Sequence, residues 1–285
     1  MAGHAASLGS ATASRLPHLV VPREHGAWGL LLVPLLTGAL TGVPDANNAV
    51  SLLVLTILVI ALFWMRTPLE SWFGVAPLRA QAGRERRLVI QVSVALGTLA
   101  ALSLAFLLRR GNHAGILWLG FIAGSAFLAQ MILRRMGRST RMASQLVGAA
   151  GLTVTAPAAY YVATGRLDTA AWALWLANWI FAGNQIHFVQ LRIHGARAAT
   201  FAERISRGSL FLAGHALMIG ALIVAWRREV LSGLALLAFV PVAVRGLAWF
   251  FESPRPLAVR RLGWTELAHA VVFGLLLALA FHFGG

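Results

Sequence analysis

Long apolar runs alternate with short, arginine-bearing connections along almost the whole chain. A helix needs about 20 mainly apolar residues to cross a bilayer. The runs predict nine membrane-crossing helices, near residues 27–43, 48–65, 88–108, 115–133, 143–164, 169–189, 209–226, 230–250 and 265–283. The first is short and follows Pro22-Arg23-Glu24-His25-Gly26. There Pro22 suits a helix start, and Glu24 complements the positive end of the helix dipole. Pro68 is expected to close the second span. Residues 1–22 are small and polar with no apolar core behind a charged start, unlike a signal peptide. They read as a flexible cytoplasmic tail, leaving 23–285 as one nine-helix membrane domain. The expected fold class is an all-α polytopic membrane bundle.

One predicted helix breaks the apolar pattern. Asn178, Gln185 and Arg192 recur every seven residues and share one stripe, while His187, Gln190 and His194 fall on a neighbouring one. Polar groups facing lipid are costly, so both stripes should turn toward protein or a wet cavity. Small-residue patches such as Gly148-Ala149-Ala150-Gly151 should allow close helix contact.

Composition agrees with a membrane protein: 59% of the residues are hydrophobic and 12% charged, the latter about half the share in soluble domains. The net charge of +15 would suggest nucleic-acid binding until the charges are placed. All 24 basic residues are arginine; eighteen fall in connections on one side of the predicted membrane and five on the other. Only Arg245 lies within a span. This bias sets the N-terminus inside and the C-terminus outside, with no nucleic-acid partner. Cysteine is absent, which excludes disulfides and thiolate metal sites.

Four groups carry candidate chemistry. Glu24 and His25 stand where the chain meets the membrane and read either as a head-group or proton-exchange site or as helix capping with Trp28 as interfacial anchor. Arg66, at the end of the second span, reads as a C-terminal carbonyl cap or as part of a site shared with the end of the sixth. In the sixth-span segment, Asn184 and Gln185 give and accept hydrogen bonds, and Arg192 and Arg197 suit a phosphate or carboxylate. His187 reads as an interhelical hydrogen bonder or a ligand contact; its spacing from His194, two turns, does not suit one metal ion. Glu266 and His269 lie three apart on the last span and form an ionisable pair expected to meet Glu24 and His25. His215 reads as a packed residue. No metal site and no cofactor are predicted.

The segments Pro22-Arg23-Glu24-His25-Gly26-Ala27-Trp28, Arg66-Thr67-Pro68-Leu69 and Asn184-Gln185-Ile186-His187-Phe188 together resemble the YwiC-like family of bacterial integral membrane proteins. More distantly, nine spans with polar segments after the second and sixth look like UbiA-type intramembrane prenyltransferases. That resemblance implies a lipid-binding cavity open to the cytoplasm, but those enzymes hold magnesium on aspartate-rich motifs after helices two and six. Here Glu70 and Glu85 are too sparse, Glu203 is the first acid after the sixth span, and Asp45 and Asp168 fall on the outer side. The expectation is an amphipathic anionic lipid or isoprenoid bound by arginine without metal. A small-molecule transporter and a haem-binding subunit are the alternatives.

Overall fold

The computed structural model describes residues 19–21, 25–43, 46–74, 83–111, 114–252 and 257–284. Most of the expected N-terminal tail, with Glu24, lies outside the described residues, and the side chain of His25 is likewise not described. The described residues form an all-helical bundle. Its helices are α1 (His25–Thr41), α2 (Ala46–Trp72), α3 (Arg84–Arg110), α4 (Gly115–Arg135), α5 (Arg141–Thr153), α6 (Thr155–Thr164), α7 (Thr169–His194), α8 (Phe201–Arg227), α9 (Gly233–Leu237), α10 (Val240–Phe251) and α11 (Val259–Phe283).

Among the described residues, seven helical segments are long and apolar enough to cross a membrane. They are Asn48–Trp72, Arg84–Arg110, Gly115–Arg135, Arg138–Thr164, Phe201–Arg227, Gly233–Phe251 and Val259–Phe283. Gly26–Thr41 is apolar but shorter. Helix α7 is 26 residues long, about 39 Å, and its polar stripes set it apart from the seven. Large side chains such as Val94, Leu102, Phe121 and Leu217 point outward and exposed. Apolar surface on that scale suits a lipid surrounding, so the chain is a multi-pass membrane protein.

Two departures from the expected boundaries involve proline. Helix α2 does not stop at Pro68 but runs on to Trp72. Proline removes one hydrogen bond, and here the continuing turn is held across Pro68 by Arg66 on Glu70, and from outside by Arg134 on Glu70 and by Ser71 Oγ donating to the Leu19 carbonyl (3.2 Å). The crossing Arg138–Thr164 is broken at Val154, between α5 and α6. Pro157 cannot donate to the Thr153 carbonyl, and its ring crowds it. Thr155 Oγ1 donates to the Leu31 carbonyl (2.9 Å), fastening the break to α1. This crossing is mostly buried and forms the centre of the bundle.

Glycine permits the closest packing. A Cβ on Gly38 would come within 2.0 Å of the Ala156 carbonyl oxygen, and one on Gly42 within 2.5 Å of Ala163 Cβ. This small-xxx-small stripe lays α1 directly on α6. The glycine patch of α5 faces α4: a Cβ on Gly148 would meet Gln130 and one on Gly151 would meet Ala126. Helices α1 and α11 run parallel, Gly29 lying beside Leu267 and Gly274 beside Val33 and Thr37. Two large apolar cores stand out among the described residues. One joins α1, α2, α3, α4 and α6. The other joins α6 to α11, where Phe181 stacks on Phe273 at 4.1 Å between ring centres.

Candidate functional site

Helix α7 starts on Asp168, whose side chain accepts from the Ala171 N–H (3.2 Å). From there it runs through the protein interior. Its tryptophans face α5: Trp175 Nε1 donates to the Ala150 carbonyl and Trp179 Nε1 to that of Leu146, both at 3.0 Å. Those bonds fix its rotation and turn Asn178, Asn184 and Gln185 into buried positions. Asn178 is satisfied within its own helix, donating to the Leu174 carbonyl (2.9 Å).

Asn184 and Gln185 are held by other helices. Asn184 Nδ2 donates to His215 Nδ1 of α8 (3.0 Å), which leaves the proton of a neutral His215 ring on Nε2. Gln185 Nε2 donates to the backbone carbonyl of Glu266 on α11 (2.7 Å). The Glu266 carboxylate is paired with Arg245 of α10 through Oε2 and Nη1. Arg245 also lies over the Phe188 ring, 4.1 Å from its centre. A Cβ on Gly246 would approach His215 Cε1 to 3.3 Å and Phe211 to 2.8 Å, so α8 and α10 meet closely beside the pair. Asn184, Gln185, His215, Arg245 and Glu266 thus form one polar centre where α7, α8, α10 and α11 converge.

That centre is incompletely bonded within the protein. Asn184 Oδ1, His215 Nε2, Arg245 Nε and Nη2, and Glu266 Oε1 are buried without a hydrogen-bond partner. A membrane protein gains nothing from leaving such groups unpaired in low dielectric.

The other expected residues lie elsewhere. His187 packs against the Gly214 position of α8, outside this network. Glu266 does not pair with His269; His269 Nδ1 lies 2.7 Å from the Thr265 carbonyl. Arg66 Nε donates to Glu70 Oε1 (2.7 Å), and Arg134 Nη1 of α4 donates to the same oxygen (2.8 Å). This end of α2 is therefore tied to α4. Arg192 reaches Glu252 beyond α10 (3.5 Å), and Arg197 is exposed in the turn after α7. Nearby, Arg204 donates to the carbonyls of Trp249, Phe250 and Glu252 and closes the end of α10.

At the same end of the bundle, an open groove of about 660 Å³ runs along the start of α11. It is lined by Ala258, Arg260, Arg261, Trp264, Thr265 and Ala268. Leu262 packs there against the Phe188, Leu191, Phe211, Trp249 and Phe250 cluster, joining this surface to the end of α7.

Residues 21–160 match the family described as YwiC-like protein. Over these residues the chain is similar to the YwiC-like family. It is also similar to Uncharacterized protein YwiC of Bacillus subtilis (strain 168), 24% identical over 255 residues that cover 89% of this chain and 95% of that protein. No solved structure matches. The YwiC-like match takes in α1 to Tyr160 of α6, with Arg66, Glu70 and Arg134. The pairwise similarity covers too much of the chain to stop there, and extends into the helices of the polar centre.

Sequence reasoning placed Arg245 within a span but gave it no role, and read His215 as inert packing. The signal for Arg245 was present: an arginine inside a span requires a counter-charge, and Glu266 was the acid assigned to comparable depth.

Proposed function

We propose that this YwiC-like protein crosses the bacterial cytoplasmic membrane nine times, N-terminus inside and C-terminus outside, and holds the anionic head of an amphipathic lipid or isoprenoid at its arginine-rich end without a divalent metal. The observation that carries this reading is the groove at the start of α11. Two exposed guanidinium groups, Arg260 and Arg261, flank alanine and Trp264 in one surface. Guanidinium recognises phosphate or carboxylate through paired donors, tryptophan prefers the membrane–water boundary, and the alanines leave room for an apolar tail. Arg192 and Arg197 lie at the same end and extend the cationic surface. The likeness to UbiA-type proteins favours a head-group site at this end. The aspartates that hold magnesium in those enzymes have no counterpart after α2 or α7.

Native mass spectrometry of detergent-solubilised protein tests this with phosphatidylglycerol, an isoprenoid phosphate and phosphatidylcholine. The anionic species should stay bound preferentially, and Arg260→Ala with Arg261→Ala should remove that preference. Equal retention of phosphatidylcholine, or an unchanged preference in the double variant, overturns the reading.

A further inference from the structure

We infer that the buried polar centre is a second site, one that takes up a small monocarboxylate together with a proton. The geometry of Arg245 points to it. A guanidinium presents two edges that can give parallel donors to a planar carboxylate. Arg245 spends Nη1 on Glu266 and keeps Nε and Nη2, the two donors of its side-on edge, buried and unpartnered. The ring of Phe188 covers the face of the group rather than this edge. His215 Nε2 is an additional unpartnered donor at the same convergence of helices. Asn184, His215 and Glu266 are each more than nine-tenths buried.

The charge balance decides the class of ligand. Arg245 and Glu266 are together neutral. An anion on the free edge of Arg245 would leave one uncompensated negative charge in a low-dielectric interior, which is costly. Glu266 Oε1 carries no hydrogen bond and is the free oxygen that would take the proton entering with the anion. Arginine then faces the incoming carboxylate, and the neutral Glu266 acid becomes a donor. The site stays neutral, and one proton enters per anion. A phosphate dianion would need a second cation, and chloride, a single spherical acceptor, does not match two parallel donors as the two oxygens of a carboxylate do.

The surroundings supply few competing charges. Against α11 pack α1, α7, α9 and α10. Beyond the first residue of α1, His25, neither α1 nor α9 has a titratable residue. Helix α7 brings Asn184, Gln185 and His187; α10 brings Arg245; and α11 itself brings His269 one turn beyond Glu266. His215 of α8 joins through Asn184. This site is separate from the lipid groove and does not depend on it.

The test uses full-length protein in nanodiscs, in weakly buffered solution near neutral pH. Sodium acetate is the probe and sodium chloride the control. Saturable acetate binding with uptake of about one proton per protein is expected, with none for chloride. Glu266→Gln, which mimics the protonated acid, should still bind acetate but take up no proton. Arg245→Lys keeps the charge but loses the paired edge, and should weaken binding about tenfold or more. Absence of saturable acetate binding by the unaltered protein overturns the inference. So does proton uptake that persists in Glu266→Gln, or binding indifferent to Arg245→Lys.

Discussion

The Arg245–Glu266 pair allows a demanding test of how the C-terminal half of the bundle is held. The two side chains are 11% and 9% exposed, so neither charge is relieved by water. Removing one partner of a buried pair leaves the other uncompensated, which costs about 3–5 kcal/mol. Replacing both by apolar residues of similar volume is often neutral or stabilising. Arg245→Met and Glu266→Leu should therefore each lose about 3–5 kcal/mol, while the double variant returns close to the unaltered protein. The coupling would be at least about 6 kcal/mol, well above the few tenths at which independent substitutions depart from additivity. Gln185 bonds to the backbone carbonyl of Glu266, so that link survives in every variant. Equilibrium unfolding in mixed micelles supplies the four values. A double variant as unstable as the sum of the singles would refute the reasoning. Singles that each lose under about 1 kcal/mol would do the same, by showing that water reaches the pair. The stable double variant should also have lost acetate binding, which separates the fold from the site.

Three other substitutions follow from the packing, all read by thermal or denaturant unfolding in the same micelles. Gly38→Ala places a methyl 2.0 Å from the Ala156 carbonyl oxygen and should cost about 1–3 kcal/mol or more, whereas Gly120→Ala meets nothing within 4 Å and should be tolerated. Glu70→Gln removes the charge shared by Arg66 and Arg134 and should cost about 2–3 kcal/mol; Glu252→Gln, opposite the half-buried Arg192, should cost under about 1 kcal/mol. Thr155→Val loses the bond to the Leu31 carbonyl beside the α5–α6 break and should cost about 1 kcal/mol.

The helical character and most helix positions were legible because bilayer thickness imposes a length that apolar runs display directly. The burial of Asn178 and Gln185 was also legible, since seven-residue spacing puts them on one stripe and lipid excludes them. Pro68 misled because its local rule is sound, but the three-way link of Arg66, Arg134 and Glu70 draws on a helix more than sixty residues away. The spacing of Glu266 and His269 suggested a local pair. The actual partner of Glu266 comes from another helix, while His269 turns to its own backbone.

Charge balance would have carried the sequence further than motif matching did. All the arginines but Arg245 fall outside the predicted spans, in connections where water can hold them. Arg245 and Glu266 are the opposite charges left at depth, and an unpaired charge there costs more than any rearrangement needed to join them. Their contact is thus close to a requirement of the sequence, although no spacing rule announces it. The bond from Asn184 to His215 has no such compulsion, because a neutral amide can be satisfied by many carbonyls and rings. What the fold adds is the surplus: after the obligatory pair forms, the side-on edge of Arg245 and one oxygen of Glu266 remain without partners. A purely structural pair could be closed off by a neighbouring side chain on that edge. Here the ring that lies over the guanidinium, Phe188, has no group that accepts a conventional hydrogen bond. The unfilled edge therefore favours a ligand over a brace.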